Sequence, residues 1–162
     1  AANPKSLKMS QGAQASYWDE DGIELWAPTP ELEESAVEQE DSNSISMVLR
    51  ISYRGRSIVL GGDATAEETW PRILDRVSQT TILKASHHGR KTGYYMPAVR
   101  AMAPWLTITS VPDKAHDATR NYRRYSAHTV SLRESGDIRI TITDDGYILC
   151  SPNVSQYWKQ KI

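Results

Sequence analysis

Apolar and polar residues alternate most clearly from residue 45 to 60. In "ISMVLRISY", Ile45, Met47, Leu49, Ile51 and Tyr53 fall on one side and Ser46, Val48, Arg50 and Ser52 on the other, the period of a half-buried strand. The turn "RGR" leads into "SIVLGG", which predicts the returning strand of a hairpin. The period then changes. "TAEETWPRILDRV" puts Trp70, Ile73, Leu74 and Val77 on one helical face, with Thr65 and Glu68 at the spacing of a capping box and Pro71 within the first turns. "TILKAS" predicts a short buried strand, residues 94 to 102 a helix, and "WLTITSV" another strand. Beyond the basic loop "PDKAHDATRNYRRY", the run "SAHTVSLRES" predicts a helix ending at Gly136. "DIRITIT", "DDG" and "YILC" predict a closing hairpin with Ile138, Ile140 and Ile142 on one face.

The earlier part of the chain has weaker patterning. "ASYWDEDGIELWAP" predicts two short strands around an Asp-Gly turn. "TPELEESAVEQEDSNS" predicts an exposed acidic helix or loop with Pro30 at its first helical position, flexible over about residues 30–44 for want of apolar anchors. Strands interleave with helices from Ser57 to Ile142, so the chain belongs to the α/β class. At 162 residues it is expected to fold as a single domain spanning 1–162.

Composition narrows the chemistry. Cys150 is the only cysteine, which excludes a disulfide framework and a thiolate zinc cluster. It ends an apolar strand and reads as a small buried hydrophobe. A cytoplasmic location is the expectation that fits this cysteine usage. No apolar window approaches the roughly 20 residues that a membrane helix needs. The net charge of -1 hides a division: residues 1–45 hold ten Asp/Glu against two Lys/Arg, and residues 46–162 hold ten against seventeen. The later portion therefore suits an anionic ligand.

Loops that leave the carboxyl ends of strands collect functional groups in sheets of this kind. Two such loops carry metal-ligand residue types. Asp63 follows "SIVLGG", where Gly61 and Gly62 let the backbone turn closely, and His87 and His88 follow "TILKAS" and precede Gly89. Imidazole and carboxylate are suitable ligands for zinc and manganese. Alone, a His-His pair is also compatible with an ordinary turn, and a Gly-Asp with a helix cap. His116 reads as a loop histidine and His128 as a packing or surface residue of its helix.

"NSISMVLRISYRGRSIVLGGDATAEETW" followed by "TILKASHHG" resembles the metallo-β-lactamase superfamily, in particular its ComEC-like branch associated with DNA uptake. The likeness extends from about Gly22 to Leu149 and is strongest at Gly62-Asp63 and His87-His88-Gly89. It implies half of an αββα sandwich, a mixed sheet flanked by helices, with Asp63 as the bridging carboxylate and the 87/88 pair supplying a metal-ligand histidine. It implies two divalent ions, zinc or manganese, in a complete site. His128, in "YSAH", falls near a family Tyr-Gly-His-Pro segment but lacks the Gly and Pro, so it is only a possible site residue. The family's main motif, His-x-His-x-Asp-His, is missing: histidine occurs only at 87, 88, 116 and 128. The resemblance therefore covers the carboxyl-terminal half of the fold, and its implied partner is an amino-terminal half, on the same parent chain or another polypeptide.

Lys84, Arg90 and Lys91 flank the histidine pair, and Arg120, Arg123 and Arg124 lie beside Tyr122 and Tyr125, a set able to neutralise phosphates and stack bases. The leading expectation is half of a phosphodiesterase or nuclease acting on nucleic acid, inert in isolation. A non-catalytic interaction or regulatory module and a small-molecule ester or lactam hydrolase are the alternatives.

Overall fold

The computed structural model describes Trp18 and residues 20–39 and 42–150. Six strands form one mixed sheet in chain order: β1 (Ile23–Ala27), β2 (Val48–Tyr53), β3 (Arg56–Leu60), β4 (Ile82–Lys84), β5 (Leu106–Thr109) and β6 (His128–Ser131). The pairs β1–β2 and β2–β3 are antiparallel, and β3 to β6 run parallel. Short turns can join antiparallel neighbours, whereas each parallel step needs a crossover, and the chain supplies one every time. These crossovers carry α2 (Thr69–Arg72), α3 (Met96–Met102) and α4 (Thr119–Tyr122), and a longer helix α1 (Pro30–Gln39) joins β1 to β2. After β6 come α5 (Leu132–Ser135) and a separate hairpin of β7 (Ile140–Ile142) and β8 (Ile148–Cys150).

Strand alternation divides the core between the two sheet faces. Val48, Val59, Leu83 and Ala85 face the crossover helices, meeting Trp70, Ile73, Val99, Met102 and Tyr122. Ile82, Leu106, Ile108 and Val130 face the other way, onto Ile148 and Cys150 of the β7–β8 hairpin, with Ile138, Ile140 and Ile142 at the margin. The fold is α/β, a mixed sheet with helices. Among the described residues no helix is long and apolar enough to cross a membrane.

Several expectations change. Residues 128–131 are strand, and only Leu132–Ser135 are helical, so the helix expected to bear His128 does not form there. The β-branched pair Thr129 and Val130 suits a strand, and β5 offers an edge for Thr107↔Thr129 and Ile108↔Val130 pairing. The hairpin expected at the Asp-Gly turn is replaced: β1 pairs with β2, and Trp18, from the expected preceding strand, is helical. The rest of that preceding strand lies outside the described residues apart from Glu20, also helical. Ile45 and Met47 precede β2 and are exposed, while Val48, assigned to the polar side, is fully buried. α1 is anchored after all. Thr29 Oγ1 accepts the Leu32 N–H at 3.2 Å, and Leu32 and Ala36 turn inward at 0% and 6% exposure.

The Thr65 cap is present in half. Its hydroxyl accepts the Glu68 N–H at 3.2 Å, but the Glu68 carboxylate turns to Arg72 instead of reaching back. This segment is shorter than expected, with α2 followed by a single tight turn over Leu74–Arg76.

Leu32→Ala is expected to destabilise the protein by about 2–4 kcal/mol in urea unfolding, the cost of an emptied core position, while Glu34→Ala changes stability by under about 0.5 kcal/mol. Equal effects would mean that α1 is not packed through Leu32.

Candidate metal centre

The carboxyl ends of β3, β4 and β5 lie side by side along one edge of the sheet. The loop after β3 presents Asp63, the loop after β4 presents His87 and His88, and the loop after β5 begins with Ser110. Close backbone approach sets the first loop. A Cβ on Gly62, whose φ is +52°, would lie 2.6 Å from the Met47 carbonyl oxygen, and a Cβ on Gly61 would lie 2.3 Å from Ser86 Oγ. Only glycines let these strands' ends meet at such distances.

The histidine turn has an unusual backbone. His87, His88 and Gly89 all have positive φ, at 47°, 61° and 95°. Each non-glycine residue held there costs of order 1 kcal/mol or more, so the surroundings must hold it. They do so through hydrogen bonds to three loops. His87 N–H donates to the Gly62 carbonyl at 2.8 Å, Ser110 N–H to the His88 carbonyl at 2.7 Å, and Ala118 N–H to the Gly89 carbonyl at 3.0 Å. Gly89 lies so close to β5 that a Cβ would come within 2.7 Å of the Thr109 side chain. Below the turn, the buried Trp70 indole donates to Ser86 Oγ at 3.0 Å.

This turn sends the two rings apart, with centroids 6.5 Å apart and planes tilted by 58°. His87 Nδ1 lies 3.0 Å from Thr92 Oγ1, within its own loop. His88 faces the first loop, with Nε2 3.7 Å from Asp63 Oδ1. That separation is too long for a hydrogen bond. Two ligands on one zinc ion, bonded at about 2.1 Å with near-tetrahedral angles, sit about 3.4 Å apart. Asp63 and His88 thus fit one shared cation. They are two donors where a catalytic zinc site uses three, and among the described residues no group of three His, Cys, Asp or Glu side chains converges on a metal position.

Ser110 stands behind His88, its Oγ 3.4 Å from Nδ1 and accepting a hydrogen bond from Lys84 Nζ at 3.0 Å. A partner on the remote ring nitrogen fixes ring orientation and leaves the other nitrogen toward the ligand position. Sequence reasoning missed Ser110, because a serine after a strand carries no signal of its own. Lys84 extends along the sheet face carrying Ile58, Ile82 and Ile108, and its amine also donates to the Ala85 carbonyl at 3.4 Å. Burial pushes the pKa of this ammonium down, opposed by the nearby Asp63 carboxylate.

The other expected substrate-binding cations have varied surroundings. Arg90 lies 3.8 Å from Asp113, and Lys91 Nζ donates to the Ala115 carbonyl at 3.0 Å. Arg120, Arg123 and Arg124 are exposed on and after α4, which the Ala118–Gly89 hydrogen bond ties to the histidine turn. Arg124 sits over the Tyr125 ring, 5.7 Å from its centroid. Tyr122 cannot stack on a base: it is 1% exposed and packed edge-on against Tyr94, and burial pushes its phenol pKa up. His116 binds its own loop, its Nδ1 2.9 Å from Asp113 Oδ1. His128 opens β6 beside Leu106 in the register, at the amino ends of the parallel strands, and its ring meets Trp105 edge-on at 5.3 Å. The histidine pair follows the last residue of β4, so His128 is not part of the Asp63–His88 cluster.

Gly89→Ala is expected to lower stability by about 2 kcal/mol or more, since strain adds to a clash with Thr109. Gly55→Ala, where nothing lies within 4 Å of the new Cβ, should lose only the positive-φ term of about 1–2 kcal/mol, and chemical denaturation of both variants ranks them. A second expectation concerns pH. Between the depressed folded value of Lys84 and its ordinary value, the unfolded chain binds the extra proton, so this group makes stability rise with pH. The stability difference between wild type and Lys84→Met should therefore move in favour of the wild type as pH rises through that window. A difference independent of pH, from urea melts, contradicts the burial of the ammonium.

No family model matches this chain, and no curated protein matches it.

Proposed function

We propose that this chain is the carboxyl-terminal half of a metal-dependent phosphodiesterase of the metallo-β-lactamase type, acting on nucleic acid when an amino-terminal half bearing His-x-His-x-Asp-His completes it. The 3.7 Å approach of His88 Nε2 to Asp63 Oδ1, at the carboxyl ends of adjoining parallel strands, is the observation that carries the reading. His88 is the ligand of the pair on this reading, because its Nε2 is the ring nitrogen turned to Asp63, while His87 is engaged with Thr92.

Two divalent ions, zinc or manganese, would supply Lewis acidity and a water ionised near neutral pH. The chain's own groups do the rest. Asp63 and His88 hold their two positions, Ser110 keeps the His88 ring oriented, and the Arg120–Arg124 segment with Arg90 and Lys91 draws the phosphates to this edge. The partner half has a surface to meet. Ile45, Met47 and Leu60, at 40%, 46% and 38% exposure, border the Asp63 loop and the apolar sheet face. A catalytically silent interaction module is the second reading, favoured by the two-donor count; a small-molecule hydrolase is the third.

In the assembly of both halves, Asp63→Ala and His88→Ala are expected to abolish cleavage of DNA or RNA and to reduce bound zinc or manganese by elemental analysis. Arg123→Ala should weaken substrate binding and flatten its salt dependence. Full metal content and turnover in the Asp63 variant overturn the site. A stable assembly without hydrolysis under any divalent ion supports the interaction module, and cleavage of a lactam with nucleic acid left intact supports the small-molecule reading.

A further inference from the structure

At the opposite edge of the sheet, where β3, β4 and β5 begin, lies a cavity of about 440 Å³ that the metal-centre reading leaves unused. Its volume is that of a small-ligand site. Arg50, Ser52, Arg56, Gln79, Thr81 and Trp105 contribute to its walls, and no carboxylate does. The lining follows from the register: Ser52 pairs with Ser57 across β2 and β3, and this polar patch replaces the apolar core residues found farther along the same strands.

Arg50 is the informative residue. Its Nη1 donates to Glu24 Oε1 at 2.6 Å and to Ser52 Oγ at 2.9 Å, and its Nε is buried with no hydrogen-bond partner. A buried, charged N–H without an acceptor is costly, so an oxygen belongs beside it. Two wall hydroxyls can help. Ser52 Oγ accepts from Arg50, and Thr81 Oγ1 accepts from Ser57 N–H at 3.1 Å, so each retains its own hydrogen to donate. Arg56 adds a second guanidinium residue whose Nε is fixed by the Gly146 carbonyl at 2.8 Å. The neighbouring carboxylates, Glu24 and Asp144, are engaged by Arg50 and by Tyr53 and stand outside the lining.

We propose that this cavity binds a small organic phosphomonoester, its phosphate oxygens held by Arg50 Nε, the Ser52 and Thr81 hydroxyls and Arg56. A phosphate carries close to two negative charges and three acceptor oxygens, which suits two arginines and several hydroxyls better than a neutral ligand does. The remaining volume, bordered by Gln79 and Trp105, accommodates the organic part. This site is separate from the Asp63–His88 edge and does not depend on the metal reading.

Titration of the isotope-labelled chain with inorganic phosphate and with glycerol 1-phosphate, followed by amide and arginine Nε resonances, tests it. Saturable shifts are expected at Gly55, Thr80, Thr81 and Arg50 Nε, with the glycerol ester binding more tightly than phosphate. Arg56→Gln should weaken binding about tenfold or more, the loss of one charged hydrogen bond. Gln79→Glu places a carboxylate on an exposed wall position without touching the core, and should weaken binding by a similar factor even if Arg56→Gln disturbs the Gly146 contact. Shifts confined to the His87–Gly89 turn, no saturable shift, tighter binding of succinate than of either phosphate, or unchanged affinity in Gln79→Glu each overturn the proposal.

Discussion

Three consecutive residues of positive φ, held by carbonyls and amides from three separate loops, set the direction of His88. Without the hydrogen bonds to Gly62, Ser110 and Ala118, the chain after β4 would relax to ordinary backbone angles and the ring would leave Asp63. The strain is local and the restraint is distributed. Glycines at 61, 62 and 89 make the restraint possible, because a Cβ at any of them would meet a neighbouring loop or strand below 3 Å. A backbone of this kind is held at a cost that packing alone does not require, which is why it directs attention to chemistry at this edge.

The sheet carries different chemistry at its two ends. At the carboxyl ends of the parallel strands an aspartate and an imidazole converge, backed by Ser110 and Lys84 and bordered by the basic α4 segment. At the amino ends, hydroxyls and arginines surround a cavity. Between them the two apolar clusters, one under the crossover helices and one under the β7–β8 hairpin, keep the ends fixed relative to each other. Lys84 links these features, since its stem runs along the apolar face and its amine reaches Ser110 behind the histidine.

Much of this was legible in the sequence where short-range rules act. The period-2 runs marked β3 to β5, the Gly-Asp and His-His-Gly positions followed strand ends, and Pro97 near the start of α3 was compatible with a helix. Readings that depended on partners were less secure. Residues 128–131 have a pattern that suits either helix or strand, and the open edge of β5 decided for strand. Val48 reads as a residue of the polar side in isolation, but the true strand begins there, after Ile45 and Met47. Tyr122 looked like a base-stacking residue beside arginines, but one helical turn buries it against Tyr94. Ser110 and the choice between His87 and His88 rest on backbone angles and tertiary hydrogen bonds that no spacing encodes.

The central claim is that His88, and not His87, shares a cation with Asp63. The most direct measurement is a zinc titration of the labelled chain, observing imidazole nitrogen and Asp carboxylate resonances. The account predicts that His88 Nε2 and the Asp63 carboxylate respond together at one stoichiometry, while the His87 ring stays as it was. A response of His87 in place of His88, or of either histidine without Asp63, would contradict it.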